Sequence, residues 1–88
     1  MDEMESIKND FIEILPVRLL KIKTDIKACD FNSAYREAHN IKGSAGMLGL
    51  NEIAHAAKEL ENKLGPNVSS VSELTNLLNT LMDLLNKV

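Results

Sequence analysis

Apolar residues recur three or four positions apart along almost the whole chain, the spacing of one face of an α-helix. In the first third they are Ile7, Phe11, Ile14, Leu15, Leu19, Ile22, Ile26 and Cys29. This spacing predicts a long amphipathic helix over about 4–28, and Pro16, which lacks a backbone N–H, is expected to kink it. Asp30 suits the N-cap of a second helix, about 31–48, with Phe31, Ala34, Ala38, Ile41, Ala45 and Leu48 as its buried stripe. Gly49 provides the left-handed residue that closes it. Asn51 is then placed to cap a third helix, about 52–64, with Glu52 in its first turn. That helix buries Ile53, Ala57, Leu60 and Leu64 and stops at Gly65-Pro66. Ser70-Val71-Ser72-Glu73 has capping-box spacing. Leu74, Leu77, Leu78, Leu81, Leu84, Leu85 and Val88 then line a fourth helix, about 71–87.

Short connections between helices of similar length favour antiparallel neighbours, so the expected fold is all-α, an up-and-down four-helix bundle. With 88 residues the chain has room for one core, read here as a single domain over residues 1–88. Its only aromatics are Phe11, Phe31 and Tyr35, and a core of Leu, Ile and Ala suits helix packing better than a sheet.

Charge narrows the function classes. A formal net charge of −3 and scattered basic residues without an aromatic platform argue against nucleic-acid binding. The start, Met1-Asp2-Glu3-Met4-Glu5, is acidic where a secretion signal is basic, and no apolar run is long enough to span a bilayer. The lone Cys29 fits a reducing compartment. A cytoplasmic protein is expected.

Candidate chemistry concentrates in Ala38-His39-Asn40-Ile41-Lys42-Gly43-Ser44-Ala45-Gly46-Met47-Leu48-Gly49. On a helix, His39, Lys42, Gly43 and Gly46 share one side, while Ala38, Ile41 and Ala45 face the core. His39 therefore points away from the core, as a functional group or as an idle surface residue. Gly43 and Gly46 each cost about 1 kcal/mol against alanine inside a helix. Either they relieve crowding against a neighbouring helix, or they leave room beside the imidazole for another protein. Lys42, one turn from His39, can offset part of the roughly two negative charges of a phosphoryl group. Arg36, one turn before, can assist.

Other chemistries lack their residues. His39 and His55 are not at metal-helix spacing, one cysteine cannot complete a zinc set, and there is no phosphate-binding G-x-x-x-x-G-K-[ST] loop. His55 is read as a rim residue near Glu52 and Glu59, without a role.

The segment from Ala38 to Gly49 resembles the signature of histidine-containing phosphotransfer (HPt) domains: a histidine, Lys-Gly at +3 and +4, small residues, and a closing glycine. Phe11 to Leu19 is similar to that family's first helix, Ala28-Cys29-Asp30-Phe31 to its turn into the histidine helix, and Leu60-Glu61 to the close of the next. Asn40-Ile41 stand where the family more often has Ser/Thr and Leu. The resemblance implies that His39 is phosphorylated, that Lys42 assists the phosphoryl group, and that Gly43 admits the partner. It implies a four-helix carrier with no nucleotide site, cofactor or metal of its own, exchanging phosphate with receiver-domain aspartates and working with sensor or hybrid kinases. Mg²⁺ is expected on the receiver. A carrier of this kind needs no second copy, so a monomer is expected.

Neutral imidazole, the main form at pH 7, is a competent nucleophile for in-line displacement, a reaction that depends chiefly on positioning and charge. Val17 and Leu20 fall on the outer side of the first helix and are candidates, with Arg36 and Gly46, for the docking patch. Two other readings stand beside this one. The chain could be the phosphoacceptor domain of a chemotaxis-type kinase charged from ATP by a separate domain, or a helical adaptor in which His39 is incidental. The dimerisation domain of an ordinary sensor kinase usually has an acidic residue after its histidine, where Asn40 stands here.

Overall fold

The computed structural model describes residues 3–65 and 70–87, apart from the side chain of Met4. Four helices follow one another: α1 (Glu3–Lys27), α2 (Phe31–Met47), α3 (Asn51–Lys63) and α4 (Val71–Asn86). Each packs on the next and α1 on α4, closing a ring around one core. The resulting rod measures 43 × 19 × 18 Å. Among the described residues there is no strand, and no helix is long and apolar enough to cross a membrane.

The core follows the helical periodicity. Phe11, Leu15, Leu19, Ile22 and Ile26 come from α1, and Ala34, Ala38, Ile41 and Ala45 from α2. Ile53, Ala57 and Leu60 come from α3, with Leu64 just beyond it, and Leu74, Leu78, Leu81 and Leu85 from α4. Leu48, Phe31, Leu77 and Leu84 pack against this cluster while partly exposed. The stripe of α2 is mostly alanine, which lets its backbone lie close to its neighbours; Ile41 is its one large, fully buried side chain.

Three expected core positions are instead exposed. Ile14 lies about 100° round the helix from Leu15 and misses the stripe. Ile7 is on the stripe, but α1 has 25 residues against 17, 13 and 16 in the others, so its first two turns outrun the packing. Cys29 lies in the turn after α1 and is exposed. Ile12, absent from the expected stripe, is partly buried.

Two turns share one device. At each, a residue in the left-handed region follows the helix and the next N–H reaches back five residues, satisfying an orphan carbonyl. After α2 the left-handed residue is Gly49 (φ 76°), with Leu50 N–H donating to Ala45 at 2.9 Å. After α1 it is Cys29 (φ 60°), with Asp30 N–H donating to Asp25 at 2.8 Å. A side chain there is strained, and glycine is not. Cys29→Gly is therefore expected to stabilise the bundle by about 1 kcal/mol, read as a higher denaturant midpoint at unchanged slope; an unchanged or lower midpoint contradicts it.

The residue that closes one helix also opens the next. Asp30 caps α2, its carboxylate accepting from Ser33 N–H at 3.3 Å. At the second turn Asn51 is not the cap. Leu50 holds that position without a side-chain hydrogen bond, and Asn51 is already helical. Leu50 is buried, so at this corner packing an apolar side chain takes precedence over capping. Ser70 caps α4, its hydroxyl accepting from Glu73 N–H at 3.3 Å. The expected stop at Pro66 and the role of Val88 lie outside the described residues.

α1 runs as one helix through Pro16. It is tied to α2 by Arg18 Nε to Glu37 Oε1 at 3.4 Å and by Lys21 Nζ donating to Ser33 Oγ at 2.9 Å.

Candidate functional site

Ala38 and Ile41 are fully buried, and their burial fixes the rotation of α2. Between them, His39 emerges toward α3 with 58% of its side chain exposed. Its Nδ1 lies 2.7 Å from Glu61 Oε1. The other oxygen of Glu61 accepts from Lys42 Nζ at 2.9 Å. One carboxylate thus holds both polar side chains of the motif across the α2–α3 contact.

Among the described residues Glu61 is the buried charged one, with 8% of its side chain exposed. Burial opposes its ionisation. Hydrogen bonds from Lys42 and His39, and the attraction of their charges, outweigh that and hold its pKa below the usual glutamate value of 4.5. An ionised carboxylate only accepts, so Nδ1 must carry the hydrogen it shares with Glu61. The lone pair of the neutral ring is therefore on Nε2. Among the described residues no protein group pairs with that nitrogen.

The lowered pKa has a consequence for stability. A group whose pKa is lower folded than unfolded stabilises fully above its unfolded value, and the contribution fades as pH falls through the folded value. The stability advantage of the parent over Glu61→Gln is expected to be present at pH 5 and to shrink as pH falls below about 4.5. Denaturant midpoints at pH 7, 5, 4 and 3 test this; a gap that stays constant down to pH 3 contradicts it.

The glycines lie in open space. A Cβ added at Gly43 or Gly46 would meet nothing within 4 Å. Crowding within the bundle thus explains neither, and the surface beside the imidazole is bare. Arg36, one turn before His39, is exposed, as are Val17 and Leu20, each 62% accessible. Arg18, between those two, reaches Glu37, which sets this turn of α1 level with the histidine turn of α2. His55 pairs with Glu59 at 3.3 Å, on the exposed side of α3.

Spacing set His39, Lys42 and Gly43 on one side of α2, where the structure has them; it did not bring Glu61 to them. The signal for Glu61 is present nonetheless. Ala57, Leu60, Glu61 and Leu64 are the i, i+3, i+4 and i+7 positions of one helical face, so Glu61 stands at the edge of the buried stripe. A carboxylate there needs a cation, and α2 offers Lys42.

The Hpt domain family model matches residues 6–87. The chain belongs to the Hpt domain family. No curated protein matches it, and no solved structure does. As an Hpt domain it is a phosphotransfer module of two-component signalling, a family that interacts with receiver domains and kinases. The family match takes in α1 from residue 6 and all of α2, α3 and α4, and the site described above lies within it.

Proposed function

We propose that His39 carries a phosphoryl group on Nε2, taking it from the aspartyl phosphate of one receiver domain and passing it to the aspartate of another. The lone pair of Nε2 attacks phosphorus, the P–O bond to the donor aspartate breaks, and the electron pair leaves with the carboxylate. The ring becomes a phosphoimidazolium that keeps its proton on Nδ1. In the second transfer the P–N bond breaks and its pair returns to Nε2.

The observation that carries this reading is the division of the imidazole: Nδ1 is held at 2.7 Å by Glu61 while the ring is more than half exposed. A fixed ring meets an incoming phosphorus in one orientation, and positioning is most of what this reaction requires. Lys42 stands one turn away to meet the phosphoryl charge, and Gly43 leaves the approach clear. The receiver brings the Mg²⁺. Val17, Leu20, Arg36 and Gly46 form the surrounding docking patch.

The same reading takes the helices as antiparallel and α1 as bent at Pro16. Arg18 to Glu37 and Lys21 to Ser33 run in opposite order along α1 and α2, which supports the first. Pro16 offers no N–H to the Ile12 carbonyl, which supports the second. We also take the chain to act as one monomeric module in the cytoplasm.

The test is incubation with a receiver domain phosphorylated on its aspartate. Label is expected to move to this chain, to be lost in acid and to survive alkali, and to leave again when a second, unphosphorylated receiver is added. The doubly substituted chain, Val17→Ser with Leu20→Ser, should accept label more slowly while melting as the parent does. Label that stays on the receiver, or that withstands acid, overturns the reading.

A further inference from the structure

Glu61 does more in this arrangement than orient a ring. We infer that Glu61 sets how readily the phosphoryl group leaves His39, by keeping the proton on Nδ1 of the phosphorylated imidazole. The inference rests on His39 being the carrier residue.

Cleavage of the P–N bond returns an electron pair to Nε2. If Nδ1 still holds its proton, the departing ring is neutral imidazole. If that proton has been lost, the departing ring is an imidazolide anion, a far poorer leaving group. The phosphorylated ring is thus a ready donor only in its protonated form, and whatever holds that proton decides the pH range over which the carrier delivers. The receiving oxygen, from a receiver's carboxylate or from water, forms the new P–O bond.

The geometry places a carboxylate at that proton. Glu61 Oε1 is 2.7 Å from Nδ1, and its side chain is nearly enclosed, so the attraction between carboxylate and imidazolium is weakly screened. An arriving phosphoryl group brings about two negative charges, against one on Glu61. Lys42, a third exposed, is drawn to the phosphoryl oxygens and leaves the carboxylate to Nδ1–H. The other charges around the ring act less directly. Arg36 of α2 is exposed, Lys58 lies a turn before Glu61 on α3 and is also exposed, and Arg18 of α1 is engaged by Glu37. The carboxylate in hydrogen-bond contact is the one that faces the proton.

A small-molecule donor separates this from partner recognition. The chain is phosphorylated with potassium phosphoramidate, the reagent is removed, and loss of phosphohistidine is followed by ³¹P spectra from pH 6 to 10. Loss should slow with rising pH through one midpoint, where Nδ1 gives up its proton. In Glu61→Gln, which can still accept the hydrogen bond but carries no charge, the midpoint is expected about one pH unit lower. Above both midpoints its phosphohistidine should then last about tenfold longer. Glu61→Asp, which keeps the charge, should fall between them. A ¹⁵N titration of the phosphorylated ring in the parent, folded and in urea, gives the same comparison without any variant; the folded midpoint should be the higher. Equal midpoints and lifetimes in parent and Glu61→Gln, or equal folded and unfolded midpoints, overturn the inference while the carrier reading stands. A parent chain that takes no phosphoryl group on His39 overturns both.

Discussion

His39→Gln is expected to abolish acceptance of label from a phosphorylated receiver, down to the background of the assay, without loss of fold. Most single substitutions destabilise a protein to some degree, and here the surroundings argue against a large loss. His39 is more than half exposed and takes no part in the core. Its partner among the described residues is Glu61, whose second oxygen keeps Lys42. The Gln amide can donate to Glu61 as Nδ1–H does, so the buried carboxylate retains both its donors, and Gln is a good helix former. The variant should therefore melt within a degree or two of the parent. What it lacks is a nitrogen lone pair: an amide nitrogen is not a nucleophile toward phosphorus. Label accepted at the parent's rate would assign the chemistry to another residue. A parent chain that never carries phosphate, with binding and signalling through a receiver unchanged in His39→Gln, would point to the adaptor reading.

How much of this was legible before any coordinates follows from how the information is stored. The four helices are written in period, because burying a stripe at three- and four-residue spacing is the main source of their stability. Ala34, Ala38, Ile41 and Ala45 could be read directly, and they in turn set the outward direction of His39. Capping was legible at Asp30 and Ser70, where a polar side chain has no competing use. It failed at the α2–α3 corner, since Leu50 is needed both to close α2 and to fill the core. Ile7 failed for another reason: periodicity records which side of a helix is apolar and not where its neighbours end. Glu61 is the most instructive case. A carboxylate at the edge of a stripe reads as solvated until a second helix is laid beside it, and only then do His39 and Lys42, 22 and 19 positions away, become its partners. Local pattern cannot carry that pairing; the bundle's geometry supplies it.

The second large effect concerns the space next to the imidazole. Gly43→Leu is expected to lower the rate of transfer from a phosphorylated receiver by about 100-fold, the scale on which a displacement of about 1 Å at the reacting atoms acts. Stability should move the other way. A Cβ at this position meets nothing within 4 Å, so the side chain starts into open space, and replacing a mid-helix glycine with a good helix former gains about 0.8 kcal/mol. The two measurements together separate the explanations. A glycine kept for internal packing would yield a destabilised variant. A glycine with no role would yield a stabilised variant that transfers normally. A glycine that keeps the approach clear yields a stabilised variant that transfers poorly from a protein donor but still reacts with phosphoramidate, which is small enough to reach Nε2 past a leucine. The contrast between the large and the small donor is the decisive reading. If Gly43→Leu slows both alike, the leucine has displaced the ring itself; if it slows neither, the partner does not approach over this turn of α2.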